Sequence, residues 1–289
     1  MLTVSELLDY GKTQLEESGN EYAKYERKVL LEHVLNVNYL YMMMNGDEQV
    51  SDDKVSEYKG LIERRCGHYP LQYLLGHAHF MDYTFYVDEN VLIPRNDTEI
   101  LVETVNELYD DIIVGSLTKS NDNTLKLLDL CCGSGCIGIS LKLYHPAMDL
   151  TLSDISDKAL KVAKRNLDKY DIRDAKLNCG SMFEGVGERY DIIVCNPPYI
   201  ESRVVDTLMP EVKEYEPRLA LDGGDDGLDF YKSILSVAKN YISDKGYIFF
   251  EIGYDQGESV SRLMREAGFM DTTVRKDYAE MDRVVYGHL

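Results

Sequence analysis

The sequence has few cationic side chains and no long run of apolar residues. Lys and Arg number 31 against 51 Asp and Glu, which gives a formal charge of -20. Proteins bind nucleic acid and anionic membranes largely through cationic side chains, so this balance argues against broad contact with either. The longest apolar runs, such as 39–44, are far shorter than the roughly 20 residues that cross a bilayer. The first residues also lack the pattern of a signal peptide.

The six cysteines form no CxxC pair, and no histidine or fourth cysteine stands at a spacing typical of a metal site. We therefore expect reduced thiols, a cytoplasmic location and no bound metal. Cys131, Cys132 and Cys136 lie close together in the sequence, and we interpret them as small buried side chains around a tight turn. With 289 residues, of which 44% are hydrophobic, the chain is long enough for two domains.

Three segments with different hydrophobic patterns follow one another along the chain. Residues 1–75 have helical periodicity and predict a small helical domain, whose first helix begins with capping-box spacing between Thr3 and Glu6. Alternating aromatic and polar residues over 76–93 predict a β-hairpin linker. Residues 94–289 alternate between short apolar strands and helices, which is typical of a parallel sheet covered by helices on both faces. The strands are expected at 126–130, 150–153, 176–179, 191–195, 246–251, 272–276 and 283–287.

Ligands of such sheets bind at the carboxyl ends of the strands, where a glycine-containing turn follows the first strand here. The turn, Cys131 to Gly135, would let backbone amides approach a ligand. Asp154, 19 residues after Gly135, ends the second strand and could accept hydrogen bonds from both hydroxyls of a ribose. Together these features favour an adenosine cofactor. Both NAD and S-adenosylmethionine remain possible at this point, because Gly138 completes the GxGxxG spacing of dinucleotide-binding proteins.

The fourth strand decides between these cofactors, because it ends in Asn196-Pro197-Pro198-Tyr199. Two successive prolines fix φ and make a rigid turn. The Asn196 side-chain oxygen and the Pro197 carbonyl could both accept hydrogen bonds from one planar NH2 group, and Tyr199 could stack on that group. Holding the nitrogen beside an electrophilic methyl group would supply proximity and orientation. Hydride transfer needs no such arrangement, so methyl transfer to an amide-type nitrogen is favoured.

The tetrapeptide 196–199 resembles the motif of methyltransferases that act on the NH2 group of adenine, cytosine or glutamine. In combination with residues 92–99 (LIPRNDTE), the chain resembles the peptide chain release factor glutamine methyltransferases. Further matching segments are 216–221 (EPRLAL), 227–229 (GLD), 251–253 (EIG) with Gln256-Gly257, and 277–285. The resemblance covers roughly residues 64–289.

This resemblance implies an α/β fold, a seven-stranded Rossmann-like methyltransferase sheet with a small N-terminal helical domain. That helical domain, residues 1–75, would help to dock the protein substrate, and residues 94–289 would form the methyltransferase domain. The implied reaction moves a methyl group from S-adenosyl-L-methionine to the side-chain amide of the glutamine in the Gly-Gly-Gln motif of a release factor. We expect a monomer that contacts neither nucleic acid nor membrane.

Site residues follow from the resemblance position by position. Asn196, Pro197 and Tyr199 are the expected catalytic residues, and Asn196 to Tyr199 the expected binding site for glutamine. The residues expected to bind cofactor are Cys131, Cys132, Gly133, Ser134, Gly135, Asp154, Met182 and Asn196. The chain departs from the family pattern at Cys131, where a glycine is frequent, at Asn96, where a proline is frequent, and at Met182, where some members place a tryptophan against adenine.

Three other functions are compatible with parts of the sequence. A nucleic-acid adenine N6-methyltransferase would share the glycine turn and the tetrapeptide, but it would need base flipping and a cationic groove. An NAD-dependent oxidoreductase would share only the glycine turn. A non-catalytic cofactor-binding protein would not need the tetrapeptide, so the intact 196–199 segment argues against it.

Overall fold

A computed structural model describes residues 1–116 and 124–289, and the described chain divides into two compact units. The first unit comprises residues 1–77 together with the separate segment 209–215. The second comprises residues 78–208 and 216–289. Among the residues with described structure, no helix is both long enough and apolar enough to cross a membrane.

The first unit is a helical bundle whose buried faces carry the apolar periodicity seen in the sequence. Its first helix begins with the expected capping box, in which the amide of Glu6 donates to Thr3 Oγ1 over 3.3 Å and the amide of Thr3 donates to Glu6 Oε2 over 2.8 Å. Its elements are β1 (Leu2–Thr3), α1 (Val4–Glu17), α2 (Ala23–Leu35), α3 (Tyr39–Met44), β2 (Gln49–Val50), α4 (Asp52–Cys66) and α5 (Leu71–Leu75).

The segment 209–215 belongs to this first unit through polar contacts as well as packing. Arg65, which is buried, pairs with Glu26 over 2.6 Å and with Glu211 over 3.0 Å. The hydroxyl of Tyr215 donates to the carbonyl of Gly67 over 2.7 Å. The bundle is therefore built from two stretches of the chain that are far apart in sequence.

The second unit is built on a seven-stranded sheet flanked by helices. A small hairpin, β3 (His77–Phe80) with β4 (Tyr83–Tyr86), precedes it in the chain. The strands of the sheet are β5 (Lys126–Leu130), β6 (Asp149–Asp154), β7 (Lys176–Cys179), β8 (Tyr190–Cys195), β9 (Ile242–Glu251), β10 (Met270–Lys276) and β11 (Asp282–His288). The helices are α6 (Glu99–Ser116), α7 (Cys136–Tyr144), α8 (Asp157–Lys169), α9 (Ser202–Val205), α10 (Pro210–Lys213, in the first unit), α11 (Asp229–Val237) and α12 (Gly257–Glu266).

The order of the strands places a ligand crevice at the end of β5. The sheet runs β10-β11-β9-β8-β5-β6-β7, with β9, β8, β5, β6 and β7 parallel and β11 antiparallel to both of its neighbours. The chain leaves β5 toward β6 on one side and later returns to form β8 on the other side. Such a reversal opens a crevice at the carboxyl ends of the central strands. The predicted seven-stranded Rossmann-like sheet is confirmed.

Apolar side chains fill both faces of the sheet. Leu127, Leu150 and Ile192 belong to the core on the α6–α8 side, and Leu128, Ile193 and Phe250 belong to the core beneath α11 and α12. The central strands are apolar on both faces, which explains why their sequences read as continuous runs without alternation.

Candidate active site

A cavity of about 340 Å³ opens at the carboxyl ends of the central strands of the second unit. The loops that follow β5, β6 and β8 form part of its wall. The site residues expected from the sequence that line it are Cys131, Cys132, Gly133, Ser134, Asp154, Met182, Asn196 and Pro198. Three others, Gly135, Pro197 and Tyr199, are outside the lining. The expected cofactor residues and the polar end of the 196–199 turn therefore face one common space.

The loop after β5 is a tight turn with three residues in the left-handed region. Gly133 has φ 52° and Gly135 has φ 78°, which glycine adopts without steric cost. Cys131, where the family frequently has glycine, has φ 61°. This residue therefore adopts a left-handed conformation that favours glycine, although it carries a Cβ. A Cβ on Gly135 would come within 3.0 Å of Ile139 and Leu152. Gly135 thus lets the loop pack closely against Ile139 and Leu152.

Asp154 binds the glycine loop and keeps acceptor capacity toward the cavity. Its Oδ2 accepts from the amide of Gly133 over 2.9 Å, and its Oδ1 accepts from the amide of Ser156 over 2.9 Å. Burial raises the pKa of this carboxyl, and the hydrogen bonds from the two amides oppose the shift. Each carboxylate oxygen has a second lone pair, so Asp154 can also accept from two hydroxyls of a bound ribose.

Gly138 is required for packing whatever the ligand is. A Cβ at this position would lie 2.7 Å from Leu152 Cδ2 and 2.9 Å from Asp129 Oδ2, inside contact distance. Its amide donates to Asp129 Oδ2 over 2.8 Å. The third glycine of the GxGxxG spacing thus lets α7 approach the sheet closely, and its presence carries no information about a dinucleotide.

Asp129 is fully buried at the start of the loop, and burial raises its pKa to about 7. The hydrogen bond from Gly138 lowers this pKa, whereas the charge of Asp154 raises it further. Its Oδ1 has no hydrogen-bond partner among the described residues. A protonated carboxyl is therefore the form that this environment favours at pH below about 7.

A pH dependence of stability follows from the shift at Asp129. The folded state holds the proton up to about pH 7, whereas the unfolded state releases it near pH 4. Stability is therefore lost as the pH rises between these values. We expect Asp129→Asn, which keeps an acceptor for the Gly138 amide, to reduce the loss of unfolding free energy between pH 5 and 7 by on the order of 2 kcal/mol.

Urea unfolding of the two proteins at several pH values measures this difference. Asp157→Asn is the matched control, because Asp157 is exposed and its pKa is lowered by Lys161, so it titrates below this pH range. Equal pH dependence in wild type and Asp129→Asn would contradict the assignment of the proton to Asp129.

The 196–199 turn presents Asn196 to the cavity and buries both prolines. Asn196 is half-buried, and its Nδ2 donates to Thr98 Oγ1 over 3.4 Å. The hydroxyl of Tyr199 donates to Glu251 Oε1 over 3.1 Å, and burial with the charge of Glu251 raises the pKa of Tyr199. Stacking of Tyr199 on a substrate remains a prediction.

Neighbouring loops hold the backbone of this turn in place. Gln256 Nε2 donates to the carbonyls of Tyr199 over 3.0 Å and Gly227 over 3.2 Å. A Cβ on Gly223 would lie 2.7 Å from Tyr199 Cα, and one on Gly227 would lie 2.4 Å from Tyr199 O. Close backbone approach thus supports the turn from segments 227–229 and 256–257. Both segments match the family, and neither of them was given a role from the sequence.

Ion pairs around the buried side chains of Glu216 and Arg283 connect the other family segments. Glu216 accepts from Arg95 over 2.5 Å and from the amide of Ile93 over 3.3 Å, so it joins 216–221 to 92–99. Arg283 pairs with Asp277 over 3.0 Å and with Asp97 over 3.3 Å. No role was predicted for these residues from the sequence. The charged side chains in the matching segments were a signal that could have identified them. They fix the wall that carries Arg95 and Thr98.

Met182 and the cysteines near the 131–136 and 196–199 turns also have defined positions. Met182 lines the cavity with φ 52°. Cys132 and Cys136 are buried, as expected for small packing residues around a tight turn. The same expectation was wrong for Cys131, which is only partly buried because it lines the cavity. Cys195 is fully buried, and burial raises the pKa of its thiol well above its usual range, which argues against a nucleophilic thiolate. Phe230, Pro217 and Leu219 line the cavity as well but were not anticipated.

The residues present fit an adenosine-containing cofactor. Asp154 offers acceptors for ribose hydroxyls, and the loop 131–134 offers a close backbone approach. Met182 and Ile155 give the same cavity an apolar wall suited to a flat base. A methyl donor bound there would share the cavity with Asn196.

Comparison with known proteins identifies the family of the chain. The family described as PrmC N-terminal domain matches residues 6–76, and the Methyltransferase small domain matches residues 110–214. In solved structures, the hMettl16 catalytic domain in complex with the MAT2A 3′UTR hairpin 6 shares the fold, with a TM-score of 0.54 and 14% identity over 83% of this chain and 84% of that chain.

Two curated relatives extend over nearly the whole chain. The release factor glutamine methyltransferase of Clostridium acetobutylicum is 38% identical over 275 residues, which is 94% of this chain and 93% of the relative. That of Geobacter sulfurreducens is 36% identical over 288 residues, 99% of this chain and 97% of the relative. At this identity and coverage, the chain belongs to the release factor glutamine methyltransferase family.

Proposed function

We propose that this enzyme transfers a methyl group from S-adenosyl-L-methionine to the side-chain amide nitrogen of the glutamine in the Gly-Gly-Gln motif of peptide chain release factors. The observation that carries the proposal is the shared cavity, onto which both Asp154 and Asn196 open. Family membership supplies the class of substrate, and the rigid polar turn supplies the chemistry that a carboxamide needs.

S-Adenosylmethionine, when bound, supplies a methyl group on a positively charged sulfur. Asp154 would bind its ribose, and Met182 would contact its adenine through a soft apolar surface. Asn196 Oδ1 and the Pro197 carbonyl would accept the two hydrogens of the substrate NH2 group, which aims the nitrogen toward the methyl carbon. The carboxamide nitrogen is a weak nucleophile, so orientation at a short distance is the main contribution of these residues. No strong base is required, because the N–H becomes acidic only as the new bond forms.

The N-terminal helical unit is proposed to dock the release factor, as the resemblance implies. Its helix α3 exposes large apolar side chains, including Leu40 at 67%, Met43 at 61% and Met44 at 77% of their accessible surface. Exposed apolar clusters of this kind are typical of protein–protein contact. We propose that the protein acts as a monomer in the cytoplasm and does not contact nucleic acid.

Transfer of labelled methyl from S-adenosylmethionine to a purified release factor tests this function. We expect label on the wild-type factor, none on a factor whose Gly-Gly-Gln glutamine is replaced, and none on DNA. Label on DNA alone would instead support an adenine N6-methyltransferase, which shares this fold and the 196–199 motif. Label on the glutamine-substituted factor would overturn the assigned target atom.

A further inference from the structure

The proposed chemistry requires Asn196 to present its oxygen to the substrate. The NH2 group of a glutamine is a donor, so only the carbonyl oxygen of Asn196 can accept from it. The oxygen and nitrogen ends of a carboxamide have nearly the same shape, and rotation about one bond exchanges them. A residue that binds only the nitrogen end of Asn196 would therefore determine whether the site is competent.

Thr98 occupies the position that such a residue needs. It ends the 3₁₀ turn Asn96–Thr98, is 2% exposed and lines the same cavity as Asn196. Its Oγ1 accepts from Asn196 Nδ2 over 3.4 Å. A hydroxyl can also donate, however, so this contact alone does not fix the amide.

Glu251 lies near the Thr98 hydroxyl and can influence the direction in which it donates. This carboxyl at the end of β9 is 1% exposed, and its Oε1 accepts from Tyr199 over 3.1 Å. Its Oε2 is buried without a partner of good hydrogen-bond geometry among the described residues, and the nearby Thr98 hydroxyl lowers the pKa of the group. An ionised carboxylate only accepts, so it draws the Thr98 proton toward itself. The lone pairs of Thr98 are then left for Asn196 Nδ2.

We propose that Thr98, oriented by Glu251, is a positioning residue that holds the Asn196 carboxamide with its oxygen toward the substrate nitrogen. The proposal rests on the proposed function and names a determinant within that site. Thr98 does not touch the reacting atoms; it acts through Asn196. In this arrangement the Asn196 amide donates to the Thr98 oxygen, and the Thr98 proton would point toward Glu251.

The ionisation of Glu251 extends this argument to pH. Burial raises its pKa to about 7, the Thr98 and Tyr199 hydroxyls and Arg283 lower it, and Asp97 raises it. Tyr231 and Cys136 are the other titratable groups near it, and the charge of Glu251 raises the pKa of each. Below pH 7 a protonated Glu251 can donate to Thr98, which frees the Asn196 amide to turn. We therefore expect kcat to rise with pH through an apparent pKa near 7.

The primary test compares Thr98→Val with Thr98→Ser in the full-length enzyme, using a release factor as substrate. Valine keeps the shape but has no acceptor for Asn196 Nδ2, so we expect kcat to fall about tenfold or more, with KM and the Kd of S-adenosylmethionine within about threefold. Serine keeps the hydroxyl and is expected to restore kcat to within about threefold of wild type. Equal thermal unfolding midpoints for the two variants would separate positioning from folding.

Two further measurements make the outcome decisive. Glu251→Gln should remove the dependence of kcat on pH near 7, since a buried amide donates and accepts at every pH. ¹⁵N spectra should show slower hydrogen exchange at the Asn196 side-chain amide in wild type than in Thr98→Val, and this readout does not depend on turnover. If wild type methylates the release factor and Thr98→Val does so at the same kcat, the positioning role is wrong. If wild type shows no transfer while the spectra differ, the substrate assignment fails and the positioning of Asn196 stands.

Discussion

Asn196→Ala is expected to abolish methyl transfer, with kcat lower by on the order of 10²- to 10³-fold or more. The substitution removes the side-chain oxygen that is proposed to accept from the substrate, and it leaves the NH2 group with only the Pro197 carbonyl to orient it. The Asp154 contacts to Gly133 and Ser156 are unchanged, so the Kd of S-adenosylmethionine should stay within a few-fold. Single-turnover methylation of a release factor, together with calorimetric titration of the cofactor, measures both quantities.

Asn240→Ala provides the matched control for this experiment. Asn240 is an exposed asparagine of the same unit and does not line the cavity, so its loss should leave both kcat and cofactor binding unchanged. Substantial turnover by Asn196→Ala, above a tenth of the wild-type rate, would show that the 196–199 turn does not grip the reacting nitrogen. A large loss of cofactor affinity in that variant would instead assign Asn196 mainly to the methyl donor.

Asp154→Ala is expected to weaken cofactor binding by about 100-fold or more. Each hydrogen bond to a charged group contributes about 1.5–3 kcal/mol, and the carboxylate is assigned two of them to ribose. The substitution also releases the amides of Gly133 and Ser156, which Asp154 accepts from over 2.9 Å. Hence both the acceptors and the shape of the loop are lost. The KM for S-adenosylmethionine should rise much more than the KM for the release factor.

The control for Asp154→Ala is Asp157→Asn, three residues later on an exposed position of α8. Asp157 does not line the cavity, and its substitution should leave the KM for cofactor at the wild-type value. If Asp154→Ala bound the cofactor with unchanged affinity, the ribose would have to be recognised elsewhere on the cavity wall. Asp154 would then act only by holding the amides of Gly133 and Ser156.

The sheet was predictable from sequence because its central strands are buried on both faces. The edge strand β7 is largely exposed, and it was nevertheless placed correctly at 176–179. Among the buried strands, 126–130 was placed at the residues that form β5, and the 191–195 strand lacks only Tyr190 at the start of β8. Polar and glycine residues follow these apolar runs directly, which fixes where each strand ends. The positions expected to face the ligand at β5, β6 and β8 therefore met in one cavity.

The supporting residues could not be found in the same way, because their partners are distant in sequence. Thr98 is 98 residues from Asn196, and Glu216 is 121 residues from Arg95. Local periodicity and motif spacing contain no information about such pairings. Gly138 shows that a motif can also match for another reason. Its spacing fits a dinucleotide-binding pattern, but a glycine is required there because α7 packs closely against Asp129 and Leu152.

The helical bundle has a practical consequence for recombination between relatives. Its segment 209–215 is encoded within the methyltransferase half, and it supplies Glu211 to Arg65 and the Tyr215 hydroxyl to Gly67. In a chimera that exchanges only residues 1–77 with those of a relative, segment 209–215 would therefore not match the new bundle. An intact bundle would be transferred by moving both stretches together.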